Sequence, residues 1–207
     1  MPRHAPKHIS HPTHAGNVDR DRNRHIMNIN SVRELCVFIE AHIGEFNHVN
    51  TTTAFRCLFR LARGSTPREV VDQALQALER HAIDLMDRFD ARCIATVMHS
   101  VAKCGYYPSS ESFWPPMAER LRRVAQDCNS VEIANSFWAH AKLDITPGPP
   151  LMGALERRLR VVAGKCTPQA IANTLWAYAT MGERPGAGVV GALEGRLRAV
   201  RERSARL

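Results

Sequence analysis

One run of eleven residues occurs almost twice in this chain. IANSFWAHAKL begins at Ile133 and IANTLWAYATM at Ile171, 38 residues later. The segments downstream agree at the same distance, MGALERRLRVV from Met152 and VGALEGRLRAV from Val190. Leu121, Leu159 and Leu197 keep the step, each between two arginines: Arg120 and Arg122, Arg158 and Arg160, Arg196 and Arg198. Looser copies start at Ile94 (IATVMHSVAKC) and Ala54 (AFRCLFRLARG). A period of this size means one supersecondary unit per copy, which buries its apolar face only by stacking on its neighbours.

Each unit reads as two helices. In the last copy Thr167 is the N-cap and Pro168 takes the first helical position. Ile171, Ala172, Leu175, Trp176 and Ala179 follow at helical spacing, and Gly182 and Pro185 end the helix. A second helix runs from about Gly188 toward Ser204, with Val190, Leu193, Leu197 and Val200 on one side. Asn129 or Ser130 caps the equivalent first helix upstream, and Thr66-Pro67-Arg68-Glu69 opens another helix with a capping box. Ser31 to Glu34 forms a further box before Leu35, Phe38, Ile39 and Ile43. No segment alternates as a strand would. The expected class is all-α, an α-solenoid of stacked helical hairpins with repeats of about 38 residues. About four repeats plus a leading helix occupy residues 31–207.

Residues 1–30 differ. MPRHAPKHISHPTHAGNV holds four His and three Pro without an acid, and too few apolar residues to offset its ordering entropy. It is expected to be a disordered, basic, His-rich tail. His4, His8, His11 and His14 would share a helical face able to hold a metal, but Pro6 and Pro12 break that helix. The chain carries 28 Lys and Arg against 20 Asp and Glu, a net charge of +8. A basic surface attracts phosphates, acidic proteins or anionic lipids. No run of 18 apolar residues provides a transmembrane helix, so no membrane partner is expected.

The non-core positions of the first helices form columns across the repeats. One holds Arg56, Thr96, Asn135 and Asn173. A second holds Arg60, Val101, His140 and Tyr178, with the first copy shifted by one. A third holds Arg63, Lys103, Lys142 and Thr180. Polar groups for base edges, flat groups for stacking and cations for phosphate are what reading single-stranded RNA requires. On the second helices, Arg158 and Arg160 flank a buried Leu and are candidates for phosphate contact, or snorkel over the apolar seam. Trp138 and Trp176 read as filling the gap between repeats, with His99 packed in the same slot.

Catalytic and cofactor motifs fail. Gly186 to Gly191 spells GxGxxG, but a helix precedes it where a dinucleotide site needs a strand. The six Cys lack zinc spacing, and P-loop, HExxH and GxSxG motifs are absent. No enzyme activity, cofactor or metal is expected.

IANTLWAYATMG, IANSFWAHAKL and the FNHVNTTTAFRCLFRLAR segment from Phe46 resemble octotricopeptide repeats, helical-hairpin repeats of about 38 residues. The resemblance spans roughly residues 31–204. It implies binding of organellar RNA in a chloroplast or mitochondrion, with control of its stability, processing or translation. Related arrays also occur in bacteria, so a bacterial cytoplasm or a secreted effector is the other location. Many members carry a terminal restriction-endonuclease-like domain, for which no sequence follows Arg203. The leading expectation is thus a non-catalytic, sequence-selective single-stranded RNA-binding protein. A protein-binding α-solenoid scaffold is the competing one. Four repeats reading one base each are too few to select a unique transcript, so a partner, self-association or further repeats would be needed.

Overall fold

The structure, a computed structural model, describes residues 14–62, 67–108 and 113–204. All regular elements among them are helical, and there is no strand. The helices are α1 (His14–Asn28), α2 (Val32–His42), α3 (His48–Leu61), α4 (Arg68–Asp84) and α5 (Ala91–Cys104). They continue with α6 (Trp114–Val124), α7 (Ser130–Lys142), α8 (Pro149–Val162), α9 (Pro168–Met181) and α10 (Ala187–Ser204). The odd-numbered helices pack in series, α1 on α3, α3 on α5, α5 on α7 and α7 on α9. Among the even-numbered ones, α2 packs on α4, α6 on α8 and α8 on α10. None of the described helices is long and apolar enough to cross a membrane.

One local design recurs four times. Each of α2, α4, α6 and α8 runs into a single 3₁₀ turn, at Ile43–Glu45, Met86–Arg88, Ala125–Asp127 and Ala163–Lys165. An extended residue follows: Phe46, Phe89, Cys128 or Cys166. A polar N-cap then starts the next helix, with the Asn47, Asp90, Asn129 and Thr167 side chains accepting backbone N–H groups. The cap supplies an acceptor to donors that have no partner inside the helix. The carbonyl of each extended residue is taken up by a later helix. Arg120 Nε donates to Phe89 O at 2.8 Å, Arg158 Nε to Cys128 O at 2.7 Å and Arg196 Nε to Cys166 O at 2.8 Å. His81 Nε2 meets Phe46 O at 2.9 Å in the first copy. The first arginine of each Arg-Leu-Arg triplet is therefore a tie between successive units.

Helix ends repeat as well. Gly105 and Gly182 close α5 and α9 at φ +60° and +70°. There Tyr106 N donates to Val101 O and Glu183 N to Tyr178 O. After α7 the same bond runs from Ile145 N to His140 O, and Asp144 holds the left-handed position at φ 55°. The core threads the whole row, from Ile26, Leu35 and Phe55 through Ile94, Leu121 and Phe137 to Leu155, Leu159 and Leu193.

Residues 14–28 correct the expected tail. They form α1, with Ile26 buried and Ile29 buried just after its end. The segment has little apolar pattern of its own, and α3 supplies what it lacks. Asn50 Nδ2 donates to Asp19 O at 3.0 Å, while Arg60 Nη2 donates to Met27 O and Ile29 O, both at 3.1 Å. His4, His8 and His11, and the cap expected at Thr66, lie outside the described residues.

Candidate nucleic-acid interface

The N-caps fix the register across the odd-numbered helices. Side chains three, four and seven residues apart share a helical face. On α5 that face carries Arg92, Thr96, His99 and Lys103. On α7 it carries Val131, Asn135, Trp138 and Lys142, and on α9 Gln169, Asn173, Trp176 and Thr180. All twelve are exposed or half-buried. Counted from Asn47, α3 brings Arg56 level with His99 and Arg60 level with Lys103. The sequence alignment had set Arg56 beside Thr96.

A row of aromatic rings crosses this face from helix to helix. Phe59 on α3 meets His99 edge-on at 6.2 Å. His99 lies 5.1 Å from Trp138, and Trp138 stacks with Trp176 at 6.2 Å and 29°. Lys103 Nζ stands 4.4 Å over the Trp138 ring, a cation–π contact. Trp176 is 44% exposed. Burial, and then the charge of Lys103, holds His99 below the ordinary imidazole range, so it is a neutral flat ring at pH 7. Beside the row, a groove of about 370 Å³ between α1, α3 and α5 has Asn23, Thr53, Arg56, Asp90, Arg92 and Thr96 in its lining.

The expected site residues separate into groups. Arg56, Thr96, Asn135, Asn173, Lys103 and Lys142 stand on this one face. Asn173 Oδ1 accepts from Gln169 Nε2 at 2.8 Å, which leaves its amide N–H groups pointing from a braced side chain. Arg60 is exposed, but its Nη2 is engaged by the carbonyls of Met27 in α1 and Ile29 just after it. Arg63 lies outside the described residues.

The second column is a correction. His140 is fully buried and Tyr178 is 2% exposed, so neither can stack on a base. Val101, at the same level, is also buried. This column faces the even-numbered helices. Tyr178 OH donates to Glu156 Oε1 at 2.8 Å, and the His140 ring meets Trp114 edge-on at 5.2 Å. Ala118 stands on α6 where Glu156 stands on α8, and His140 Nε2 has no hydrogen-bond partner among the described residues. Its Nδ1 contacts Ser136 O at 2.8 Å, and burial pushes its pKa down to about 4.

Arg158 and Arg160 are also relocated. Arg158 ties two units together through Cys128 O. Arg160 lies across α10, where a Cβ on Gly188 would stand 2.9 Å from its Cδ. Gly186 meets α8 similarly, its N–H donating to Glu156 Oε1 at 3.1 Å. Gly186 and Gly188 of the GxGxxG string thus serve the close approach of α8 and the start of α10, whereas a Cβ on Gly191 would meet nothing within 4 Å. Arg122 and Arg123 both bond Glu119, whose carboxyl they hold down to about 2.

Sequence reasoning placed Trp138, Trp176 and His99 in the gap between repeats, where their rings do meet, and missed only that they lie on the same face as the Thr/Asn and Lys columns. The signal was present: they lie three residues after the Thr/Asn column and four before the Lys column, hence on the same face. Among the described residues no group of three or more His, Cys, Asp or Glu side chains is placed to hold a metal. The cysteines are free, and burial pushes Cys93 to about 11 and Cys128 to about 12, so these thiols stay protonated.

These features define an all-α, helical-repeat-like protein with an aromatic and cationic face. Compared with protein-family models and with curated proteins, the chain matches none.

Proposed function

We propose that this chain is a non-catalytic, sequence-selective single-stranded RNA-binding protein of the octotricopeptide type. In this reading its helical pairs stack as an α-solenoid and the odd-numbered helices carry the ligand. The supporting observation is the Phe59–His99–Trp138–Trp176 row with Lys103 set on it. Rings on consecutive helices offer stacking surfaces at successive steps, and every base has a face to stack. The Thr96 hydroxyl and the Asn135 and Asn173 amides flank the row and supply donors and acceptors for base edges. Arg56, Arg92 and Lys142 supply cations for phosphate. A duplex hides its base faces, so stacking selects single strands. By the family resemblance, the RNA is a chloroplast or mitochondrial transcript whose stability, processing or translation is controlled.

Fluorescence anisotropy with labelled single-stranded RNA and with duplex DNA tests this reading. Single strands should bind and the duplex should not. The logarithm of affinity should fall with log salt by about 0.7 per phosphate neutralised. Lys103→Ala and Lys142→Ala should each flatten that slope. Asn135→Ala with Asn173→Ala should change sequence preference. Equal binding of single strands and duplex would overturn the proposal.

A further inference from the structure

The repeat register allows each surface to be compared with its own equivalent one unit away. Ala134, Phe137 and Ala141 on α7 are 1%, 0% and 5% exposed. Phe137 meets the Tyr178 ring of α9 at 5.0 Å. Their equivalents on α9 are Ala172, Leu175 and Ala179. All three are exposed, Leu175 by 40%. Leu197 on α10 is 42% exposed, whereas Leu121 and Leu159 at its level are 0% and 1%. Val190 adds 36% exposure on the same helix. The residue types are those of an inter-unit seam, and no element among the described residues covers them.

We infer that a second copy of this chain docks on this end, α9 and α10 of one copy against α9 and α10 of the other, about a twofold axis. Three observations select this occupant. The surface continues the seam that already joins α7 to α9. Ala172, Leu175 and Ala179 lie at spacings of three and four, with small residues at either end that let helices approach closely. The charges on α10 are self-complementary when antiparallel. Glu194 and Arg201 lie three residues before and four after Leu197, so all three share one face. With two α10 helices crossing antiparallel at Leu197, Glu194 of each copy opposes Arg201 of the other. A twofold contact needs only this one patch, used by both copies.

Sedimentation velocity of the full chain over a wide micromolar range tests the inference. The mass should rise with concentration from 23.2 kDa toward twice that value. Leu175→Glu and Leu197→Glu alter exposed positions and should give monomers with unchanged helical circular dichroism. Glu194→Arg alone and Arg201→Glu alone should weaken the dimer about tenfold or more, and the two together should restore it. A monomer at all concentrations, a dimer indifferent to both leucine changes, or a charge swap that fails to restore association would each overturn it.

Discussion

The odd- and even-numbered helices carry basic side chains to different ends. On the even-numbered helices several arginines are committed within the chain, while Arg157, Arg198 and Arg201 stand exposed. Arg120, Arg158 and Arg196 each bond the carbonyl of an extended linker residue, and Arg122 and Arg123 hold Glu119. On the odd-numbered helices Arg56, Arg92, Lys103 and Lys142 stand exposed around a row of rings. Arginine is thus cement in the Arg-Leu-Arg triplets and at Arg60, and a candidate ligand contact at Arg56 and Arg92. Basicity summed over the chain hides this division, and the atom each cation reaches reveals it.

The contrast yields graded predictions. Arg158→Ala leaves the Cys128 carbonyl without its charged donor and should cost about 1–3 kcal/mol of stability in urea unfolding. RNA affinity of the folded fraction should be unchanged. Trp138→Ala with Trp176→Ala should do the reverse, removing about 1–3 kcal/mol of RNA binding per lost stack by anisotropy titration while the fold persists. Should Arg158→Ala instead abolish binding without lowering stability, the division of labour is wrong.

A third prediction concerns pH. His140 titrates at about 4 when folded and at about 6.5 when unfolded. The unfolded chain therefore takes up the proton first as pH falls. Stability should be fully present above about pH 6.5 and decline toward pH 4. His140→Tyr with Ala118→Glu copies the Tyr178–Glu156 pair and should remove that decline in melts run across the range. The smallest effect is expected at Asp144, which occupies a left-handed position held by glycine after α5 and α9. Asp144→Gly should raise the melting temperature slightly, corresponding to at most about 1 kcal/mol.

The repeat, the helices and their caps were legible in the sequence because they rest on local chemistry. Thr167-Pro168, Asn129 and Gly182 act through neighbours a few residues away, and the structure places them as read. Three things were not legible. Residues 14–28 take their order from Asn50 and Arg60, more than 30 residues distant, which no local pattern displays. The orientation of the second column depends on which side the even-numbered helices pack, so polar His140 and Tyr178 were placed outside and apolar Trp176 inside. The first copy carries a longer second helix, 17 residues in α4 against 11 in α6 and 14 in α8, so aligning by apolar residues shifted Arg56 by one turn. In the first two cases a long-range contact outweighed hydropathy.

Photocrosslinking of the protein to single-stranded RNA, with mass-spectrometric mapping of the adducts, reads the central claim at residue level. The account predicts adducts on α5, α7 and α9, at Lys103, Trp138, Lys142 and Trp176. Adducts concentrated on Arg122, Arg123 and Arg157 of α6 and α8, with the aromatic row unmodified, would contradict it.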